Sequence, residues 1–276
     1  MFPHELLRSI LEEIQDRPTL YALSLSTKAL YLESQRILYR SIPLQDQSNF
    51  RLHYYFLSTI NQNPQLSLYV HEYHSYNIID YHENPQWNLL KHGLEKMINL
   101  KELSFRAIGG HPSCDLLENC TFQLDRLTWW NQWDVSMTPF LAGQSRLTYL
   151  SINCALGTEF SPNVCPNLKE LKGNIGTLNA FLPGRSITTV DWTSVSPTLV
   201  DEERIGISRL VANSHSELKK LRTLTMRKPS QTHYSDLADH LQSIETLMIR
   251  NSSSSMITEV SISSSGKFPD NHIFTV

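Results

Sequence analysis

The first forty residues carry apolar positions at the spacing of short helices. The first group recurs at offsets of one, three and four, which places a wide apolar stripe on one side of a helix: Leu6, Leu7, Ile10, Leu11 and Ile14. Pro3 suits the beginning of this helix, because the N–H that proline lacks would have no intrahelical partner there. The pattern predicts a helix with more apolar surface than so short a segment can bury by itself.

Two further helices are predicted before residue 44. Pro18 cannot continue the first helix, whereas Asp16 or Thr19 can cap the second. The apolar face of the second helix is predicted to consist of Leu20, Leu23 and Leu25. Ser26 or Thr27 can cap a third helix, and the sequence Ser-Ile-Pro ends it. The apolar residues of the third helix are Leu30, Ile37 and Leu38.

The pattern L-x-x-L-x-L, with apolar substitutions, recurs after residue 99. The copies are Leu100-Leu103-Phe105, Leu124-Leu127-Trp129, Leu147-Leu150-Ile152, a weak Leu168-Leu171-Gly173, Ile187-Val190-Trp192, Leu221-Leu224-Met226, Ile244-Leu247-Ile249 and a last Ile257-Val260-Ile262. Their starts are 24, 23, 21, 19, 34, 23 and 13 residues apart. Most of these intervals fall in or near the roughly 20–29-residue period of leucine-rich repeats.

Each copy predicts a strand whose apolar residues face one side, with their neighbours on the other. Trp129 is thus expected in the core and Trp130 on the open face, with Trp133 beside a turn. Since a single repeat cannot bury its apolar face, neighbouring repeats stack and share one core. The sequence predicts an α/β protein in which an irregular leucine-rich-repeat solenoid has a curved parallel sheet.

The segments between the strands carry helical spacing. Return helices are predicted over residues 86–97, 177–182, 201–218 and 233–241. Before the first clear repeat, the pattern predicts a helix over residues 50–60, an early degraded strand over 70–76 and a loop over 77–85. No linker rich in Gly, Ser and Pro separates the parts, so we expect a hydrophobic contact between them.

The repeats depart from the leucine-rich consensus. Asn153, Asn174 and Asn251 lie near the strands but not at the offset of the usual asparagine, so a regular asparagine ladder is not expected. The serine-rich tail after Asn251 shows no capping repeat, although solenoids need a polar end. We expect either a fragment of a longer protein or an exposed last strand. An irregular α/β domain is the rival arrangement.

Composition narrows the function classes. The 276 residues suffice for a sizeable core, and the net charge of -3 offers no basic excess for nucleic acid. No apolar run approaches the length of a membrane span. The four cysteines form no C-x-x-C pair, so we expect buried, reduced thiols and a cytoplasmic or nuclear location.

Catalytic and metal motifs are weak. His71, His74 and His82 lie among tyrosines with no cysteine close in sequence, and zinc needs about four ligands. The run that starts at Asp201 is expected to open a helix, where the helix dipole favours negative charge. There is no G-x-S-x-G elbow and no phosphate-binding loop. We expect neither enzymatic activity nor a cofactor or metal.

The N-terminal segment resembles an F-box. The order F-P-x-E-L-L-x-x-I-L, then D-R-P-T-L-x-x-L-x-L-S-T-K, follows the F-box pattern over about the first 42 residues. Phe2-Pro3 stands for the usual Leu-Pro, Leu25-Ser26-Thr27-Lys28 for Val-Ser-Lys/Arg, and Tyr31 for the following aromatic. Residues 36–42 are similar to the end of fungal F-box-like segments, although the common tryptophan is missing.

The resemblance implies docking on a Skp-type adaptor of a cullin ubiquitin ligase. It assigns the adaptor-facing side to Pro3, Leu6, Ile10, Leu11, Leu20 and Leu23. Without the family likeness, these residues would equally be the first helices of one larger core. The implied division is an F-box-like three-helix segment over residues 1–42, a helical connector with a degenerate first repeat over 43–99, and irregular leucine-rich repeats over 100–276.

The open face of the sheet is the expected target-binding surface. The positions beside the apolar strand residues are Arg126, Trp130, Tyr149, Asn153, Glu170, Lys172, Asp191, Arg227 and Arg250. Their mixed charge with Tyr and Trp suits protein contact, and it is also what a solvated face contains. We therefore expect a substrate-recognition adaptor of a Skp–cullin–F-box ligase that binds an unknown protein, with no nucleic acid or membrane partner.

Two other functions stay open. The helices can be an N-terminal cap of a leucine-rich-repeat interaction scaffold that belongs to no ubiquitin ligase. A hydrolase or transferase on an irregular α/β fold would need a pocket that holds a nucleophile beside a base. The first of these is the principal alternative.

Overall fold

The computed structural model describes residues 4–14, 16–44, 50–79, 85–108, 114–132, 136–193, 200–227, 237, 240–250 and 257–261. The protein is an α/β protein that begins with three consecutive helices and continues with mainly parallel strands, several of which are joined by helices. It divides into two compact units, Met1–Phe140 (unit 1) and Leu141–Val276 (unit 2).

Unit 1 begins with the three predicted helices, which are α1 (His4–Glu12), α2 (Arg17–Ser24) and α3 (Lys28–Arg40). The structure selects Asp16 as the cap of α2, since its carboxylate accepts a hydrogen bond from the Thr19 N–H at 2.8 Å. Thr27 caps α3 by accepting from the Leu30 N–H at 3.3 Å. Both α1 and α2 pack against α3.

The rest of unit 1 alternates strands and helices. The strands are β1 (Ser41–Leu44), β2 (Glu72–Ile79), β3 (Glu102–Ile108) and β4 (Arg126–Gln132), and the helices are α4 (Phe50–Gln62), α5 (Pro64–Ser67) and α6 (Pro85–Lys96), with a short 3₁₀ helix at Cys114–Leu117. The four strands lie side by side in chain order, and every pair is parallel. Neighbouring parallel strands need a crossover connection, so each strand is followed by a return segment. We call one strand with its return segment a turn of the structure.

Unit 2 repeats this arrangement after α7 (Met137–Ala142). Its elements are β5 (Tyr149–Asn153), β6 (Glu170–Gly173), α8 (Ile175–Phe181), β7 (Thr189–Thr193), α9 (Val200–Leu218), β8 (Thr223–Arg227), β9 (Thr246–Arg250) and β10 (Ile257–Ser261). Strands β5 to β9 pair in parallel in chain order, whereas β10 is antiparallel to β9. The last repeat copy is therefore a strand, but it turns back instead of continuing the series.

The strand pattern predicted from L-x-x-L-x-L is confirmed in the first six copies, whereas in the seventh Ile249 is only half-buried. In the second copy, Leu124, Leu127 and Trp129 are buried, while Trp130 is exposed. The core of each unit thus consists of the apolar strand residues and the inner faces of the return segments. Burial of each large apolar side chain contributes roughly 1.5–3 kcal/mol. The apolar strand residues of neighbouring turns therefore provide a large part of the free energy that holds these turns together.

The fourth copy of the L-x-x-L-x-L pattern ends in glycine for a steric reason. Gly173 stands where the other copies place an apolar side chain, and a Cβ there would collide with the Ile152 carbonyl oxygen. The same Cβ would lie 2.7 Å from the Thr177 Oγ1 atom of α8. Because α8 begins two residues later and lies close to the strand, only glycine fits at this position.

One backbone contact recurs at the start of the strands. In unit 1 the His71 carbonyl accepts hydrogen bonds from two consecutive N–H groups, those of Lys101 and Glu102, at 2.8 and 3.0 Å. In unit 2 the same double contact is made by the carbonyls of Thr148, Lys169, Thr188 and Arg222. Each of these carbonyls holds the beginning of the next strand in register, so successive turns share one geometry.

Two short predictions change. The strand predicted over 70–76 is β2, which continues to Ile79, and α6 begins at Pro85, so the predicted loop over 77–85 is wrong at both ends. The helices predicted over 50–60, 86–97, 177–182 and 201–218 are confirmed as α4, α6, α8 and α9. The helix predicted over 233–241 lies mostly outside the described residues.

Candidate protein-binding surfaces

The N-terminal helices leave a group of large apolar side chains in solvent. This group, which we call the N-terminal apolar set, comprises Leu6, Ile10, Tyr21, Leu25, Tyr31 and Leu32. Leu6 and Ile10 are 52% and 55% exposed, and their spacing of four residues places them on one face of α1. The six residues lie within 27 positions of the chain, on or directly after the three N-terminal helices.

The residues assigned to adaptor binding do not share one environment. Leu6 and Ile10 are exposed and Leu23 is half-buried, but Leu11 and Leu20 are each only 2% exposed. Pro3 lies outside the described residues. Leu11 and Leu20 are therefore interior side chains that are not available at the surface, and the helices that carry them both pack against α3.

Four members of the N-terminal apolar set were not among the residues expected to bind: Tyr21, Leu25, Tyr31 and Leu32. Leu25 was expected on the apolar face of α2, yet it is the C-cap residue of that helix and is largely exposed. The signal that identifies Tyr21 is its spacing, since Tyr21 and Leu25 are four residues apart. Spacing alone does not say which of two apolar faces is covered.

Hydrogen bonds between residues far apart in sequence join the start of α2 to the end of α3. The Arg17 guanidinium donates to the Leu38 carbonyl at 2.9 Å and to the Ser41 carbonyl at 3.1 Å. These carbonyls belong to the end of α3, where helical carbonyls have no intrahelical partner. The contact keeps the exposed sides of α2 and α3 in a set orientation without covering them.

A buried aromatic cluster joins α4 to β2. The His53 imidazole is hydrogen-bonded through Nε2 to the Tyr73 hydroxyl, and the Tyr73 ring stacks on Phe56. Burial lowers the pKa of His53 to about 4 and raises the pKa of Tyr73. Because neither side chain reaches solvent, this pair is a packing element and offers no site for acid–base chemistry on a substrate.

The outward face of the unit 1 strands is amphipathic. Arg126 and Glu102 form an ion pair at 3.8 Å, and His74 lies 4.0 Å from the same carboxylate. Trp130 is 45% exposed at the far end of β4, which confirms the predicted inward and outward sides of the two neighbouring tryptophans. Trp133 lies outside the described residues.

The outward face of the unit 2 strands is polar. Lys172 and Asp191 pair at 3.4 Å and are only about one-fifth exposed, so their charges largely satisfy each other. Glu170 and Asn153 are exposed and Tyr149 is half-buried. Arg227 and Arg250 are the last residues of β8 and β9, and their side chains lie outside the described part of the structure.

Reactive groups are scarce within the described residues. No group of three or more His, Cys, Asp or Glu side chains there could hold a metal ion. His71 and His74 do not form such a group, and His82 lies outside the described ranges. In unit 2, His215 and His240 face each other with their Nδ1 atoms 3.0 Å apart, which is two ligands where zinc needs three or four.

The described thiols are not nucleophiles. Burial raises the pKa of Cys120, Cys154 and Cys165 to about 12 in each case, so all three stay protonated near neutral pH. All three are free, and Cys154 and Cys165 are buried. Their chemistry is that of small core residues.

The sequence was compared with protein-family models and with curated proteins. No protein-family model matches the chain, and no curated protein matches it either. Among the described residues, none of the helices has both the length and the apolar character that crossing a membrane requires.

Proposed function

We propose that this protein is a substrate-recognition adaptor of a Skp–cullin–F-box ubiquitin ligase. The observation that carries the proposal is the N-terminal apolar set, which stays in solvent although the three helices that hold it are packed on their other sides. An exposed apolar group of this density is typical of a surface that a partner protein covers. The likeness of residues 1–42 to an F-box supplies the class of partner, a Skp-type adaptor.

The composition of the set favours a protein partner. Leucine and isoleucine provide apolar area, while Tyr21 and Tyr31 combine area with a hydroxyl that can find a partner at the rim. Tyrosine is also enriched among the residues that dominate binding energy. Within α1, the charged Arg8 and Glu12 pair with each other at 3.2 Å, so their opposite charges are matched beside the exposed Leu6 and Ile10.

The parallel strands supply the second half of the proposal. We assign consecutive turns of one strand and one return segment to an irregular leucine-rich-repeat solenoid, because the strands pair in chain order and share the double N–H contact at their starts. The outward strand positions, with Trp130 as the largest exposed side chain, are the proposed target surface.

In this role the chain contributes proximity. It would hold a target protein beside a ubiquitin-conjugating enzyme that the cullin recruits, which raises the effective concentration of the target's lysines. The chemistry belongs to other subunits, in keeping with the protonated thiols and the buried His53–Tyr73 pair. The proposed location is the cytoplasm or the nucleus.

The decisive test is binding to a purified Skp-type adaptor. Leu6→Asp with Ile10→Asp should abolish co-purification, since each change places a charge in the proposed interface without touching the buried Leu11 or Leu20. Circular dichroism and thermal unfolding should match wild type, because both positions are exposed.

A matched control separates the docking surface from general loss of apolar area. Ile98→Asp with Ile205→Asp changes two side chains that are 51% and 55% exposed and lie outside the N-terminal helices. This control should bind the adaptor as wild type does. Undiminished binding by the Leu6/Ile10 variant, or no binding by the wild-type chain, would refute the proposal.

An interaction scaffold outside any ligase is the second candidate. It is favoured by the packing of α3 against α5 and β1, because β1 is itself paired with β2 and the helices are thereby joined to the first turn. Helices in that position can serve as the cap that a repeat array needs. The same co-purification separates the two functions, since a scaffold of this kind would not retain a Skp-type adaptor.

A further inference from the structure

Unit 2 contains a cavity at the edge where its strands begin. The cavity has a volume of about 450 Å³ and lies beside the starts of β7, β8 and β9. Its lining comes from two positions that recur in three successive turns. The residues directly before the strands are Thr188, Arg222 and Glu245, and those two places earlier are Ser186, Lys220 and Ser243.

The strand register brings these residues together. Thr189 pairs with Thr223, and Thr223 pairs with Thr246, so the residues before them stand in line on neighbouring strands. Adjacent strands are roughly 4.8 Å apart. The cavity is therefore produced by the repeat itself, and equivalent side chains from three turns converge on one space.

The cavity carries an excess of positive charge. Among the described residues that line it, the cations are Lys219, Lys220 and Arg222, and the one carboxylate is that of Glu245, which pairs with Arg222 at 3.8 Å. Neither lysine side chain makes an ion pair or hydrogen bond with any residue that the structure describes. The net charge of the whole chain is -3, so the positive charge at this cavity is a local concentration and does not reflect a basic protein.

Hydroxyl groups complete the lining. Ser186 and Ser243 are exposed, and Thr188 is half-buried, so their hydroxyls can rotate toward a ligand. The N–H groups of Thr188 and Arg222 are already bonded to the carbonyls of Lys169 and Thr188. The side-chain donors of the lining are therefore ammonium, guanidinium and hydroxyl groups, a combination that binds phosphate oxygens.

We propose that this cavity binds a small phosphate-bearing ligand. Three cations against one carboxylate leave a net charge of about +2, which a single carboxylate ligand would not neutralise and a phosphate group, at about −1.5 to −2, would. The volume falls within the range of roughly 300–1,000 Å³ that small-molecule sites occupy. The site belongs to unit 2 alone and does not depend on adaptor docking.

The test is isothermal titration of the full chain with inorganic tripolyphosphate. We expect binding with one site per chain, tighter than that of inorganic phosphate and weakened by salt, because charge pairing dominates it. Lys219→Gln with Lys220→Gln should weaken binding at least about tenfold, since hydrogen bonds from charged donors are stronger than neutral ones. Both residues lie at the surface of unit 2, so folding should be unaffected.

The control removes the same charge elsewhere. Lys28→Gln with Lys101→Gln changes two exposed lysines of unit 1, of which Lys101 also stands directly before a strand. It should change the affinity less than about twofold, as expected for distant screened charges. Equal weakening by the two double variants would mean that the anion responds only to net charge, and the proposal would be wrong.

A third variant gives a change in the opposite direction. Glu245→Gln removes the one carboxylate among the described lining residues and frees Arg222, so it should tighten tripolyphosphate binding about two- to fivefold. A purely structural role for Glu245 would predict weaker binding. No measurable binding of tripolyphosphate by the wild-type chain at low salt, or weaker binding by Glu245→Gln, would overturn the proposal.

Discussion

The two compact units differ most in what they leave exposed. Of the twelve large hydrophobic residues that are exposed in the described part of the chain, eleven lie in unit 1 and one, Ile205, lies in unit 2. Unit 2 instead shows a polar strand face and a cationic cavity at its strand edge. Both units use the same parallel strands over a similar core, so the core pattern does not determine what the surface binds.

Their buried polar groups differ as well. Unit 1 buries a neutral pair, His53 and Tyr73, whereas unit 2 buries the guanidinium of Arg185, which is only 3% exposed. A buried neutral pair responds to pH, while a buried cation depends on its acceptors. The two units should therefore lose stability under different conditions.

The largest expected effect is the loss of Arg185. Its guanidinium donates to four carbonyls, those of Ser161, Val164, Phe181 and Pro183, at 2.6, 3.1, 2.9 and 3.3 Å. Arg185→Met keeps much of the volume but removes the guanidinium donors from all four carbonyls, of which that of Ser161 still accepts from the Val164 N–H at 2.9 Å. We expect unit 2 to lose about 3–5 kcal/mol of stability, measured by denaturant unfolding with hydrogen exchange.

That change also tests whether the units are independent. Hydrogen exchange should accelerate in β5 to β9 and stay close to wild type in β2 to β4, and binding of a Skp-type adaptor should persist. Equal acceleration in both units would mean that they unfold together. The comparison of two separately stabilised units would then fail.

The second effect is a loss of stability in unit 1 at acid pH. The folded pKa of His53, about 4, lies below its ordinary value of 6.5, so the unfolded chain binds the proton more tightly. The contribution of His53 is therefore complete above pH 6.5 and decreases as the pH falls toward 4, by up to about 3 kcal/mol. Hydrogen exchange of α4 and β2 between pH 7 and pH 4.5 measures it.

His53→Gln provides the control for this pH dependence. Glutamine does not titrate, so the variant should be less stable at pH 7 but show a flatter dependence on pH in α4 and β2. An unchanged slope would assign the acid sensitivity to other groups of unit 1.

The smallest expected effect on stability, and the most informative about function, is that of Trp130→Ala. Trp130 is exposed on the proposed target surface, so its removal should change folding stability by less than about 0.5 kcal/mol. Capture of at least one target protein should fall, since exposed tryptophans commonly anchor interfaces. Quantitative mass spectrometry of co-purifying proteins measures it.

Ile205→Ala is the matched change in unit 2, where it removes the only large exposed hydrophobic among the described residues. It should leave captured proteins and adaptor unchanged. Identical partners for Trp130→Ala and wild type would show that the target surface is assigned to the wrong face.

Local patterns predicted most of the strands and helices. The inward side of Trp129 and the outward side of Trp130 followed from alternation, since successive strand residues point to opposite faces whatever lies nearby. The helices α4, α6 and α9 were predicted from apolar residues three and four positions apart, a spacing that also depends only on neighbours in sequence. Of the residues assigned to adaptor binding from the sequence, Leu6 and Ile10 are exposed.

The sequence did not predict the hydrogen bonds between neighbouring turns. The pentapeptide Asn-Leu-Lys-Glu-Leu occurs twice, at 99–103 and at 167–171. In both copies the asparagine amide donates to a carbonyl of the preceding turn at 2.8 Å, Asn99 to Leu68 and Asn167 to Ser145. These two asparagines precede the repeat leucine. One asparagine also follows a strand: Asn174, directly after β6, donates to the Cys154 carbonyl at 2.9 Å and accepts from the Cys154 N–H at 3.3 Å.

The chain's own order of residues determined the period of the elements and the side on which each strand residue lies, because both depend on neighbours in sequence. Only the tertiary structure decided that Leu11 and Leu20 are interior while Leu6 and Ile10 are exposed, since all four are equally apolar. It also decided the reversed direction of β10 and the convergence of Ser186, Lys220 and Ser243 on one cavity. These outcomes depend on which segments pack side by side, and no local spacing encodes that.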